Sequence, residues 1–251
     1  AYDVTVGTQP RSPAQTCTVA AGTGTVGDSN INDVRVTCST QTFALSASVN
    51  GLVGSGLVLQ NNGADPVEVA TNGSFSFPRE LASGAAYNVT VRTQPSNPVQ
   101  SCAVANGTGV IGTADVTNIA VTCSTSSFRV GGTVSGLVGS GLVLRNNGSD
   151  DLAVNANGAF SFNTALASGG TYNVTVASQP TNPTQVCTIS NGSGTIAGTN
   201  ITNVAVSCAT TEVTIGGTVS GLAGSGLTLQ NNGGAPFAIA ANAPFMFPAS
   251  V

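Results

Sequence analysis

The sequence predicts an all-β chain, built as a tandem array of antiparallel β-sandwich domains of 85 residues with one internal disulfide each. Three observations predict it. Tyr2, Tyr87 and Tyr172 are 85 residues apart, as are Cys17, Cys102 and Cys187, and again Cys38, Cys123 and Cys208. Apolar residues alternate with polar or small ones at a period of two, the signature of half-buried strands rather than helices. Asn-Gly dipeptides at 62–63, 72–73 and 106–107 punctuate the alternation, and such pairs favour tight hairpin turns because both residues tolerate positive φ.

The phase of the repeat follows from its linkers. Each second cysteine is followed by four small or polar residues: Ser39-Thr40-Gln41-Thr42, Ser124-Thr125-Ser126-Ser127, and Ala209-Thr210-Thr211-Glu212. Cutting there gives the C-terminal part of a repeat (1–40), two complete repeats (41–125 and 126–210) and the N-terminal part of another (211–251). The two complete copies share 46 identities in 85 positions without a gap. A piece of about 40 residues buries too little surface to hold a fold. The ends are therefore expected to need company, either from further repeats in one longer covalent string or from the complementary end of another chain. The gapless period makes the first the simpler expectation.

Within 41–125 the elements follow in order. Phe43, Leu45, Ala47 and Val49 set the first strand. The glycine-broken run Gly51 to Gly56 separates it from Leu57 and Leu59, and Val67 with Val69, then Phe75 with Phe77, continue the alternation. Tyr87, Val89 and Val91 form a further strand, closed by Gln94-Pro95 and Asn97-Pro98, since proline lacks the ladder donor. Val104 shares the phase of Cys102, and Ile119 and Val121 share that of Cys123. Seven or eight short strands at this spacing indicate a sandwich.

These residues carry a resemblance. Val49…Gly51-Leu52…Gly56-Leu57-Val58-Leu59, Asn72-Gly73-Ser74-Phe75-Ser76-Phe77 and Gly84…Tyr87-Asn88-Val89-Thr90-Val91 resemble the prealbumin-like, Ig-like β-sandwich of carboxypeptidase-regulatory and collagen-adhesin B-type repeats. With its Gln-Pro and paired cysteines, the whole unit also resembles tandem repeats of large secreted or surface proteins of bacteria. The chain departs from adhesin repeats that carry a Lys–Asn cross-link, because it has no lysine.

Six cysteines admit many pairings, which the period reduces to two families: within a repeat, 21 residues apart, or across a linker, as Cys38 to Cys102. Shared inward phase favours Cys17–Cys38, Cys102–Cys123 and Cys187–Cys208. Two thiolates per domain without histidine leave a zinc ligand set unfilled, so the cysteines are expected to be structural disulfides and the chain to work in an oxidising, extracellular or cell-surface setting.

Composition narrows the function. Only 6% of residues are charged, against about 25% in ordinary proteins. All six basic residues are arginine, and histidine and tryptophan are absent. No imidazole or lysine exists to activate a hydroxyl nucleophile, and no basic patch suits nucleic acid. The calcium-like run Asp28-Ser29-Asn30-Ile31-Asn32-Asp33 loses its acids in the other copies, and Asp150-Asp151 faces Asp65-Pro66; solvated turns are the expectation for both. No acidic pair recurs as glycoside hydrolysis would require. Gly51 to Gly56 lacks the lysine and helix of a phosphate loop and reads as a hairpin or crossover. No near-apolar run reaches the ~20 residues of a membrane-spanning helix.

The sequence thus leads to a non-catalytic protein without cofactor: an extracellular stalk, fibre or filament whose partners are neighbouring copies of the same repeat. The alternative is a multivalent adhesin presenting a carbohydrate or cell-surface site many times over. Only 12 aromatic residues are present, however, and most fit inward phases.

Overall fold

A computed structural model describes residues 1–247, all of it strand, turn and loop without a helix. Its contacts divide it into two compact units: residues 1–130 with 164–172 and 194–201, and residues 131–163 with 173–193 and from 202 onward.

Within 41–125 there are two four-stranded sheets. In the first the order is Gln100–Ala105, Val116–Thr125, Leu45–Asn50, Gly73–Ser76; in the second it is Thr108–Val110, Ala86–Thr93, Leu57–Asn61, Ala64–Val69. Alternation then does what it must. Leu45, Ala47, Val49, Ile119 and Val121 project from the first sheet and Leu57, Leu59, Val69, Tyr87 and Val89 from the second, into one buried apolar cluster. Burial of such side chains is the main favourable term available to a chain with so few charges.

One pairing differs from the wholly antiparallel expectation. Leu45–Asn50 runs parallel to Val116–Thr125, with Ile119 opposite Ala47 and Val121 opposite Val49. Alternation fixes which side chains face inward but carries no information on strand direction. The first strand is separated from the last by the whole repeat, so a parallel pairing costs no tight turn.

The segment Gly51 to Gly56 is a crossover: it carries the chain from Leu45–Asn50 in one sheet to Leu57–Asn61 in the other. Gly51 is fixed there on two counts. Its φ is +76°, and a Cβ would sit 2.3 Å from the Cys123 carbonyl oxygen, closer than any side chain can approach.

The strand set recurs in 126–210, again as two four-stranded sheets, with Val130, Val134, Leu142, Leu144, Val174, Val204 and Val206 buried. Residues 1–40 and 211–247 keep only pairs. Gln15–Ala20 pairs with Arg35–Thr40 and Tyr2–Asp3 with Thr23–Gly24; Gly216–Thr218 pairs with Pro244–Met246 and Leu227–Leu229 with Phe237–Ile239.

Candidate functional site: cystines, latches and junctions

The cystines sit where strand register brings cysteines face to face. Cys102 and Cys123 are direct cross-strand partners, as are Cys17 and Cys38, and Cys187 and Cys208. The structure joins each pair, with Cα–Cα distances of 4.0, 3.9 and 3.9 Å respectively. Each bond clamps two neighbouring strands of one sheet rather than bridging two sheets. No cysteine is free among the described residues.

Each cystine has a glutamine companion that the sequence reading took only as part of a strand-breaking Gln-Pro. Gln94 accepts from the Cys102 amide at 2.7 Å and donates to its carbonyl at 3.0 Å. Gln9 treats Cys17 the same way at 2.7 and 3.0 Å, and Gln179 treats Cys187 at 2.8 and 3.2 Å. A side-chain amide thus stands in for a peptide group of a further strand. Gln100–Ala105 is an edge strand, and the glutamine occupies backbone groups that would otherwise invite pairing.

A second glutamine latches the crossover. Gln100 is almost fully buried. Its Oε1 accepts from the amides of Val53 and Gly54 at 2.8 and 2.7 Å, and its Nε2 donates to the Gly51 carbonyl at 2.8 Å. Gln185 repeats all three bonds to Val138, Gly139 and Gly136, each at 2.8 Å. Without this side chain the buried Gly54 amide would lose its partner.

Successive repeats are joined by a recurring junction. Ser83, buried, accepts from the Ala14 amide at 2.9 Å and donates to the Gly112 carbonyl at 2.7 Å. The linker threads between the same two regions: the Gln41 amide donates to the Ala14 carbonyl at 2.9 Å, and its carbonyl accepts from the Ser83 amide at 2.9 Å. One period later Ser168, also buried, accepts from the Val99 amide at 3.0 Å, Ser126 donates to the Val99 carbonyl at 3.0 Å, and Ser168 donates to the Ser126 carbonyl at 2.8 Å. The linkers are also strands: Thr42–Phe43 pairs with Leu81–Ala82, and Ser127–Phe128 with Leu166–Ala167. The Leu-Ala-Ser-Gly run repeated at 81–84 and 166–169 was the available signal.

The acidic candidates are placed differently. Asp28 and Asp33 are exposed. Asp115 accepts from the Ala44 amide at 2.8 Å, and its counterpart Asn200 accepts from the Arg129 amide at 2.8 Å. The position keeps a side-chain acceptor rather than a charge, and that acceptor tethers the loop before the last strand to the start of the first. Asp151 is forked by Arg145, with one bond at 2.8 Å. The hydrogen bond from Arg145 holds the Asp151 carboxyl below its ordinary range; desolvation opposes it, and the guanidinium charge adds a lesser lowering. No group of three or more metal-ligating side chains is assembled among the described residues. Every one of the 12 aromatic rings is buried or half-buried.

No family model matches the chain, and no curated protein matches it. Among solved structures it is similar to the Bacillus anthracis TIE protein, at a TM-score of 0.52 and 14% identity, over 85% of this chain and 46% of that one. The chain therefore spans less than half the length of that neighbour. At this identity the likeness concerns the fold alone.

Proposed function

We propose that the chain is a structural segment of an extracellular stalk, fibre or filament, in which each 85-residue period is one Ig-like, prealbumin-like sandwich domain. The domains are 1–40 in part, 41–125, 126–210, and 211–251 in part. The observation that carries this reading is the junction: the Ser83 and Ser168 contacts recur one period apart within about 0.1 Å. A linker bonded on both sides by buried groups transmits orientation from one repeat to the next, as a load-bearing array needs and a string of independent binding modules does not.

Chemistry supports the same reading. Three cystines suit an oxidising compartment, and the surface lacks both histidine and lysine. No exposed ring offers the stacking platform that sugar recognition favours. No helix among the described residues is long and apolar enough to cross a membrane. The proposed partners are neighbouring copies of the same repeat, on or outside a bacterial cell.

Electron microscopy of the native material tests it. Fibres or stalks with a regular axial repeat are expected. Dispersed particles that bind a glycan array would replace the structural role with multivalent adhesion.

A further inference from the structure

Residues 94–100 are bonded on two sides. Toward their own repeat they close on the crossover 51–56: the Ser55 amide donates to the Ser96 carbonyl at 2.8 Å, and the Ser96 amide to the Ser55 carbonyl at 2.9 Å. The Gln100 amide donates to the Pro95 carbonyl at 3.2 Å, turning the segment back so that the Gln100 side chain reaches the amides of Val53 and Gly54. The fit is tight. A Cβ on Gly54 would lie 2.5 Å from the Pro98 carbonyl oxygen and 2.9 Å from that of Ser96.

Toward the following repeat the same segment is held through Val99. Its amide donates to the buried Ser168 hydroxyl at 3.0 Å, and its carbonyl accepts from the Ser126 amide at 3.0 Å. The peptide group between Val99 and Gln100 therefore carries a bond at each end: its oxygen accepts from Ser126 and its N–H donates to Pro95. A peptide group is planar and stiff, so a rotation that breaks one of these bonds misaligns the other. The crossover side of the arrangement recurs in 126–210. Ser140 and Thr181 exchange two bonds at 2.8 Å, the Gln185 amide donates to the Pro180 carbonyl at 3.2 Å, and Gln185 latches Val138 and Gly139.

We propose that this peptide group couples the junction to the latch, so that the crossover of 41–125 is held closed by the repeat that follows it. While Ser126 and Ser168 grip Val99, the plane sets Gln100 with its amide oxygen on Val53 and Gly54. When that grip is lost the segment is free to pivot, and the latch loosens. The placement has a direction. The following repeat lends a linker and a turn, whereas the preceding repeat contributes the segment that carries its own buried latch. The energy is reciprocal, because an unlatched crossover must weaken the junction by the factor with which a broken junction weakens the latch. Such nearest-neighbour terms make a string of repeats stand or yield together. This deepens the structural role proposed above and rests on its premise that the repeats act as an array.

Amide hydrogen exchange in the full 251-residue chain, read residue by residue by NMR, tests it. Ser168→Ala removes the junction hydroxyl and changes no residue of 41–125. The Val99 amide should then exchange about fivefold faster, having lost one neutral partner. The Gly54 amide keeps its own partner, yet it should exchange at least about twofold faster, the low end of coupling within one bonded network. Gln100→Ala should accelerate the Val99 amide by a similar factor with Ser168 still in place. Under Ser168→Ala the ladder amides of Leu45–Asn50 and Val116–Thr125 should keep their rates, as should Gly139, which Gln185 latches inside the substituted repeat. A Gly54 rate that stays unchanged while Val99 accelerates overturns the proposal. So does uniform acceleration of the whole of 41–125, or a Gly139 response as large as that of Gly54. The microscopy result is separate: coupled exchange in material that forms no fibres would sink the filament role and support the coupling.

Discussion

Val121 and Val36 occupy the same position of the repeat, two residues before the second cysteine of a pair, in antiparallel ladders of the same extent and register. Val121 is sealed in a core while Val36 faces solvent. Residues 86–125 and 1–40 share their cystine, their Gln-cysteine bonds and their local strand pairs. Only the first has the strands of 45–76 packed with it in two facing sheets. Strand pairing and cystine formation are thus properties of forty residues, whereas the core belongs to eighty-five. The difference separates interactions local to a pair of strands from those that need two facing sheets, and it can be broken or sharpened position by position.

The largest contrast is expected in the core. Leu59→Ala should destabilise 41–125 by about 2–5 kcal/mol, because the side chain is fully buried and leaves a cavity. Its counterpart Leu229→Ala, half-buried in a two-stranded sheet, should change stability by well under about 1 kcal/mol. Peptide-resolved hydrogen exchange separates the two regions; equal losses at both sites would show that 211–247 already owns a core.

The cystines come next. Replacing Cys102 and Cys123 by alanine should cost about 3 kcal/mol in the chain-entropy account of a 22-residue loop. Cys38 is exposed and Cys123 buried, so mild reductant followed by alkylation and mass mapping should label Cys17 and Cys38 before the other four. Simultaneous labelling of all six would erase the distinction.

Gln100→Ala should cost about 1–3 kcal/mol, since it strands the buried Gly54 amide and removes the partner of the part-buried Val53 amide. Gln15 occupies the same position in 1–40, where its side chain reaches Thr40 at 3.3 Å and no crossover lies beside it; its alanine variant should be close to silent. Amide exchange at residues 53 and 54 reads the first effect directly. At the junction, Ser83→Ala removes one neutral hydrogen-bond partner, so the Ala14 amide should exchange about fivefold faster, corresponding to about 1 kcal/mol.

The smallest effect separates the two whole repeats. Arg145 and Asp151 form an ion pair in 126–210, while 41–125 has Gln60 and Pro66 there. Because the folded carboxyl is held below its ordinary range, its contribution is present above that range and lost as pH falls through the lower folded value. The site is exposed, so screening keeps the effect slight. An acid titration should show it in 126–210 and not in 41–125, and Asp151→Asn should abolish the difference.

The all-β class was legible in the period, the two-residue alternation and the Asn-Gly turns, because each of these reports local geometry. The cystines were legible because a fixed spacing and a shared inward phase place both sulfurs together. The parallel pairing of Leu45–Asn50 was not, since two strands of the same alternation can lie either way up. Gln100 and Ser83 were passed over for a different reason. A buried polar side chain reads as a surface residue until the backbone groups it satisfies are known. Asp115 was passed over likewise: a solvated turn was expected in its loop, whereas Asp115 and its counterpart Asn200 each accept a backbone amide, so one neutral acceptor suffices.

The parallel pairing has a mechanical consequence. The chain enters 41–125 through Leu45–Asn50 and leaves through Val116–Thr125, and these two strands lie side by side pointing the same way. Tension applied at the ends of the repeat pulls the first strand backwards and the last one forwards along their common axis. Their bonds are then loaded in shear, all together, instead of being peeled apart singly from one end. The Cys102–Cys123 bond ties the loaded last strand to its other neighbour, so the pull spreads across the sheet. Stretched in solution, a repeat built this way should yield in one abrupt step at high force.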